Sequence, residues 1–168
     1  MRRLIKDGAL ADDRWALLRD ARALADVPAH GAVIVPLALW AAERDALAAR
    51  GEVGVLLGPA DDVDALAPDV ASLPVIAIDF PTFADGRGYS IARLLRERHG
   101  YRGELRAVGD VLRDQLDLMA ECGFDAFVVR ADRDAADALA GLRDFDGVYA
   151  ATTRTPQPWF RRRAASPA

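Results

Sequence analysis

Residues 79–96 read DFPTFADGRGYSIARLLR. The run before them, residues 75–78, is apolar and rich in β-branched side chains, which predicts a buried strand. Within the stretch and just beyond it, residues 89–98 place Ile91, Leu94 and Leu95 at helical spacing. A strand, a glycine-containing loop and a helix make half of a βαβ unit, so we expect this unit to recur along the chain.

The same alternation continues on both sides of the stretch. Short apolar runs predict further strands at residues 32–35, 53–57, 104–108 and 127–129. Helical composition and spacing predict helices at residues 37–50, 110–121 and 134–142, with at most a short one at 61–67. Because the run at 104–108 is less apolar, we expect that strand nearer an edge of the sheet.

Strands alternating with helices indicate an α/β fold of about five βα units, with a mostly parallel sheet covered by helices. A complete eight-fold barrel usually needs about 200 residues or more, and this chain has 168. The sequence therefore favours an open three-layer sheet, with a truncated, barrel-like arrangement as the alternative. Upstream, residues 3–10 predict a strand with a turn at Asp7-Gly8, and the acids at 12–13 suggest the start of a helix.

The length suits one domain, which we place at residues 1–151. Residues 152–168 are rich in proline, threonine and arginine and predict an irregular tail. Either this tail is a disordered end, or Trp159 and Phe160 beside arginines anchor a docking segment.

Composition excludes several classes of function. A net charge of −4 argues against nucleic-acid binding, which needs a basic face. Apolar runs too short for a membrane span and a start without a signal peptide predict a cytoplasmic protein. One cysteine and two distant histidines give no set of ligands for a metal site or an iron–sulfur cluster, and no motif for a cofactor is recognisable.

The carboxyl ends of parallel strands gather at one rim, where ligands bind in such folds. Glycines before a helix can turn backbone N–H groups toward a small oxyanion, and arginines can add charged hydrogen bonds. These types of residue form a candidate oxyanion site at the rim, listed here as Asp85, Gly86, Arg87, Gly88, Ser90, Arg93 and Asp110.

A purely structural interpretation of the same residues is also open. Gly86 and Gly88 would then shape a tight loop, Ser90 would cap a helix, and Arg93 would be solvated. Asp110 would be a helix N-cap, whereas in the functional interpretation it is a rim carboxylate that faces Arg87. Asp79 and Asp85 could likewise pair with rim arginines.

Several segments together resemble a bacterial family of unknown function whose genes lie beside those of sulfate and sulfite assimilation. They are residues 80–90, 94–96, 103–112, 114–115 and 122–127, and residues 83–88 are the most specific. The resemblance spans roughly residues 4–148. Members are often labelled as oxidoreductases in sulfite reduction, so the resemblance implies a role near sulfite reductase or the reductase of activated sulfate.

Three functions are consistent with the residues and the resemblance. The first is an accessory protein of assimilatory sulfite reduction that binds the reductase or a small oxyanion. The second is an oxidoreductase of sulfite reduction that uses a dissociable flavin or NAD(P)H, because six-electron reduction needs an electron carrier. The third is a small-anion binder without catalysis. Whether the chain is an enzyme stays open at this point.

Overall fold

The computed structural model describes residues 3–144, 150–158 and 161. Their strands are β1 Arg3–Lys6, β2 Ala9–Asp12, β3 Ala16–Leu17, β4 Val33–Pro36, β5 Val53–Leu57, β6 Val75–Phe80, β7 Glu104–Gly109 and β8 Ala126–Phe127. Their α-helices are α1 Leu37–Ala42, α2 Arg44–Arg50, α3 Arg87–Arg93, α4 Leu116–Glu121 and α5 Ala135–Ala140. Four short 3₁₀ segments and a π-helical turn at Leu94–Arg98 complete the regular structure of this part of the chain. Across the described residues, no helix is long and apolar enough to cross a membrane.

All eight of these strands form one sheet in the order β2-β1-β8-β7-β6-β5-β4-β3. Strands β3 to β8 pair parallel with one another, whereas β1 pairs antiparallel with both β2 and β8. Between β1 and β2, Asp7 and Gly8 both have positive φ angles, 50° and 74°, as a two-residue hairpin turn requires. The α/β class and the mostly parallel sheet predicted from the sequence are confirmed.

The sheet curls because its two edges are neighbours in the chain. Only residues 13–15 separate β2 at one edge from β3 at the other. Four residue steps span at most about 14 Å, whereas the edges of a flat eight-stranded sheet lie about 34 Å apart at ~4.8 Å per strand. The sheet is therefore curled into a half-barrel.

In the described part of the chain, helices cover only one face of this sheet. The larger apolar core joins alternate strand residues such as Val55 and Ile78 to buried residues of all five helices, including Trp40, Ile91 and Leu116. The smaller core on the opposite face contains no helical residue, and Trp15 packs there against strand residues. The open three-layer sheet favoured by the sequence is therefore wrong, and the barrel-like alternative describes the molecule.

We call the face of the sheet opposite the helices the inner face. A buried ion network lies at one end of it. The Arg106 guanidinium, 2% exposed, donates from Nε to Glu104 at 2.7 Å and from Nη1 to Asp13 at 2.8 Å. Its Nη2 lies 2.6 Å from the same Glu104 oxygen without being aligned to donate to it. Lys6 Nζ lies 2.8 Å from the other Glu104 oxygen. The network ties β1 and β7 to the segment that joins the two edges.

This network explains the low apolarity of β7. The sequence predicted a place near an edge, but β7 lies between β6 and β8. Its polar residues Glu104 and Arg106 point to the inner face, where Asp13 and Lys6 neutralise them. The prediction was wrong because ion pairs replaced apolar contacts at a central strand.

Other local predictions also need correction. The helix expected after residues 12–13 is absent, because β3 and a 3₁₀ turn at Leu24–Asp26 occupy that segment. The helix expected at residues 37–50 breaks at Glu43 into α1 and α2. The helix expected at residues 110–121 begins only with a 3₁₀ turn at Arg113–Gln115.

The beginning of the predicted tail contacts the helical layer. The Thr152 hydroxyl is hydrogen-bonded to Glu121, and the Thr153 hydroxyl donates to Glu97 at 2.9 Å. Thr153 N also donates to the Glu121 carbonyl at 3.1 Å. Trp159 and Phe160 lie outside the described residues, so the division at residue 151 and the docking hypothesis stay predictions.

Candidate functional site

Four charged side chains follow the carboxyl ends of the parallel strands. Arg19 lies two residues beyond β3, Asp79 is the penultimate residue of β6, Asp110 follows β7, and Arg130 lies three residues beyond β8. Because the strands are parallel, these residues lie at one end of the curled sheet. We call this end, defined by the four residues, the mouth.

The first ion pair of the mouth joins Arg19 and Asp79. Arg19 Nη1 lies 2.5 Å from Asp79 Oδ1, but the contact is not aligned as a hydrogen bond, and this buried oxygen has no other partner among the described residues. Arg19 makes no aligned side-chain hydrogen bond within the described part of the chain, and its carboxylate partner there is Asp79. Arg19 therefore has donors left for a ligand.

The second ion pair holds Arg130. Its Nη1 donates to Asp110 Oδ1 at 2.8 Å, while Nε and Nη2 donate to Asp132 at 2.6 and 3.0 Å. These hydrogen bonds hold the pKa of Asp132 below its usual value. Asp110 Oδ2 accepts from the backbone N–H of Phe83 at 2.9 Å, which ties the β6–α3 loop to the mouth.

Both arginines line one cavity of about 120 Å³. Its apolar wall is formed by Leu17, Val108 and Val128, and Gly109 completes it. Gly109 has a φ of 100°, and a Cβ there would lie 2.3 Å from the Phe80 carbonyl oxygen and 2.7 Å from Asp79 Oδ1. Only glycine allows β6 and β7 to approach this closely at the mouth.

The residues predicted from the glycine loop lie beside the mouth. The Asp85 carboxylate accepts from Arg87 Nε at 3.0 Å and from Nη2 at 2.6 Å, and these bonds lower its pKa. A Cβ added at Gly86 would lie in open space. The Arg87 side chain is 60% exposed. Gly88 is buried, and a Cβ there would lie 2.5 Å from the Phe80 ring. Gly88 therefore allows α3 to pack closely against Phe80.

Ser90 and Arg93 lie farther along α3 and line a separate open depression with Leu94, Glu97 and Arg98. Arg93 pairs with Glu97 one turn on, at 3.2 Å. The N-terminus of α3 has no side-chain cap, so the capping role expected for Ser90 is wrong. The structure thus separates Ser90 and Arg93 from Asp110.

One of the expected pairings changes, because Asp110 faces Arg130 and not Arg87. Asp79 and Asp85 each pair with an arginine, Arg19 and Arg87 respectively. Asp110 does not cap a helix directly, because Arg113–Gln115 starts three residues later. Of the predicted residues, Asp110 is the one that belongs to the mouth itself, and whether Asp85, Gly86 and Arg87 hold an anion stays a prediction.

Neither mouth arginine is among the candidate ligand residues predicted from the sequence. Arg130 directly follows the strand predicted at residues 127–129, which places it at the rim, but the sequence does not indicate its pairing with Asp110. Arg19 cannot be placed at the rim from the sequence, because a helix is predicted where the two-residue β3 precedes it. For metal ions, no three His, Cys, Asp or Glu side chains are grouped as ligands within the described part of the chain.

Comparison with known proteins gave one match. The family model described as "Bacterial protein of unknown function (DUF934)" matches residues 54–160, more than half of the chain. No curated protein and no solved structure matches significantly. The matched residues include Asp79, Asp110 and Arg130, whereas Arg19 precedes them.

Proposed function

The chain belongs to this bacterial family of unknown function, and from the geometry of its mouth we propose that it binds a small oxyanion there. One observation carries the proposal: Arg19 and Arg130 approach one cavity from opposite sides of the inner face, β3 and β8. Arg19 has donors that suit an oxyanion, which accepts several charged hydrogen bonds. Arg130 already donates from Nε, Nη1 and Nη2 to Asp110 and Asp132, so it contributes through its charge and its remaining N–H groups.

The size of the cavity supports a small ligand. A liquid water molecule takes up about 30 Å³, so 120 Å³ has room for about four groups of that size. This matches a sulfite or sulfate ion. A flavin or nicotinamide ring is much larger, so the dissociable cofactor of the oxidoreductase alternative would have to bind elsewhere.

The choice of sulfur oxyanions and of an accessory role rests on the sequence. The resemblance to proteins beside sulfate- and sulfite-assimilation genes supports sulfite as the ligand. A single cysteine cannot bind an iron–sulfur cluster, which favours a protein that serves sulfite reductase or the reductase of activated sulfate over one that reduces sulfite itself.

Isothermal titration calorimetry tests the anion site. We expect sulfite to bind the full-length chain at one site, and Arg19→Ala to weaken binding by at least about tenfold, because one charged hydrogen bond contributes about 1.5–3 kcal/mol. Arg87→Ala is the matched control, since this arginine is exposed and pairs only with Asp85 among the described residues. Loss of binding in Arg87→Ala but not in Arg19→Ala would place the anion in the glycine loop and overturn the mouth site.

Affinity purification tests the accessory role. The tagged chain, expressed in a native-type host grown on sulfate, is expected to recover a sulfite or activated-sulfate reductase in stoichiometric amount, identified by mass spectrometry. A second purification with the chain shortened after Ala151 locates the contact. Recovery of the chain alone, with sulfite binding intact, would leave an anion binder and contradict the accessory role.

A further inference from the structure

A second, larger cavity lies at the opposite end of the sheet from the mouth. It has a volume of about 580 Å³ and is bounded by the Asp7-Gly8 turn, the residues before β7 and β8, the end of α5 and Thr153-Arg154. We call it the amino-end cavity. Its volume lies within the ~300–1,000 Å³ of small-molecule sites and corresponds to roughly twenty non-hydrogen atoms at about 30 Å³ each.

The rim of the amino-end cavity is basic. Arg96, Arg102, Arg143 and Arg154 line it, against the two carboxylates of Asp7 and Asp125. Arg96 already binds Asp125, at 2.6 Å. Arg154 lies 3.6 Å from Glu121 and 3.8 Å from Asp117. This leaves Arg102 and Arg143 against Asp7 among the lining residues, so the rim attracts anions.

The availability of these arginines differs. The Arg96 side chain is held in place, because it also donates to the carbonyls of Gly123, Tyr101 and Gly103 at 2.8–2.9 Å. Arg154 lies 3.6 Å from Glu121 and is half exposed. Within the described residues, Arg102 and Arg143 make neither a salt bridge nor a side-chain hydrogen bond, and both are exposed.

The floor of the amino-end cavity is apolar. It consists of Phe124 and Phe127 from the region of β8 and Leu139 and Leu142 from the region of α5. Phe124 and Phe127 are 4% and 2% exposed, so they support the floor from within the packed core. The partly exposed Leu139 and Leu142 supply most of its accessible surface. A ligand that fills this cavity therefore needs an apolar part for the floor as well as an anionic part for the rim.

We propose that the amino-end cavity binds a mononucleotide, with its base on the Phe124–Leu142 floor and its phosphate among Arg102, Arg143 and Arg154. A mononucleotide has the required size, a flat apolar ring and a phosphate that accepts bidentate hydrogen bonds from arginine. The site is independent of the small oxyanion site, because the two cavities share no lining residue.

Calorimetric titration of the full-length chain with AMP tests the proposal, with adenosine and inorganic phosphate as separate probes. We expect saturable binding of AMP at one site, and binding at least tenfold weaker for each of the two fragments. Arg143→Ala and Arg102→Ala are each expected to weaken AMP binding at least fivefold. Both side chains are exposed, so the variants should keep the melting temperature of the parent chain.

Two controls separate this site from the rest of the surface. Arg93→Ala removes an exposed arginine that lies outside both cavities and should leave AMP binding unchanged. Arg19→Ala should also leave it unchanged, even if sulfite binding is lost. Absence of saturable AMP binding, equal affinity for phosphate and AMP, or equal losses in Arg93→Ala and Arg143→Ala would each overturn the proposal.

Discussion

Arg106→Ala is expected to lower the free energy of unfolding by about 3–5 kcal/mol, because it leaves buried carboxylates without their cation. The Arg106 side chain is 2% exposed, and its partners Asp13 and Glu104 are 4% and 7% exposed. Lys6 can still neutralise the Glu104 carboxylate, because its Nζ lies 2.8 Å from Glu104 Oε2. Among the described residues, Asp13 has no other salt bridge.

Urea denaturation followed by circular dichroism measures this effect. In a chain of this size the loss corresponds to a fall in melting temperature of roughly 6–20 °C. Arg14→Ala is the matched control, since Arg14 forms an exposed ion pair with Glu52, and exposed pairs typically contribute less than about 1 kcal/mol. Equal losses in both variants would contradict the role assigned to the inner network.

Gly109→Ala is expected to cost both stability and oxyanion binding. The added Cβ would lie 2.3 Å from the Phe80 carbonyl oxygen, and the φ of 100° is strained for alanine. Backbone strain and overpacking each cost about 1–3 kcal/mol. Because the same Cβ would lie 2.7 Å from Asp79 Oδ1, relief of the clash must move the carboxylate that faces Arg19.

Gly86→Ala provides the control for this substitution. Gly86 has a φ of −81° and open space around its Cβ position, so alanine should be tolerated within about 0.5 kcal/mol. Both variants are compared by urea denaturation and by sulfite titration. If Gly109→Ala kept parental stability and affinity, the close approach of β6 and β7 would not shape the site.

The order of strands and helices could be predicted from local sequence largely because β4, β5 and most of β6 are continuous apolar runs. Val53–Leu57 and Val75–Phe80 are buried almost throughout, as strands of a parallel sheet are. The curl could not be predicted in the same way. It depends on β3, which has only two residues, and on contacts of Asp13 with Arg106, 93 positions away in the chain.

The residues of the candidate site also differ in how far they could be predicted from the sequence. The position of Asp110 at the carboxyl end of β7 could be predicted because it directly follows a recognisable strand. Its partner was not, since the pairing of Asp110 with Arg130 depends on the adjacency of β7 and β8. Gly88 was grouped with the ligand residues because the sequence cannot distinguish two reasons for a glycine. One is to leave room for the Phe80 ring, and the other is to let the backbone face an anion.

The central claim, that the mouth holds a small oxyanion, is tested most directly by NMR of the arginine side chains. The Nε–Hε signals of Arg19, Arg130 and Arg87 are assigned by substitution and followed during titration of the full-length chain with sulfite. We expect the Arg19 and Arg130 signals to shift along one saturable curve, while the Arg87 signal stays in place. A saturable shift of Arg87 without Arg19, or no saturable shift of any of the three, would contradict the claim.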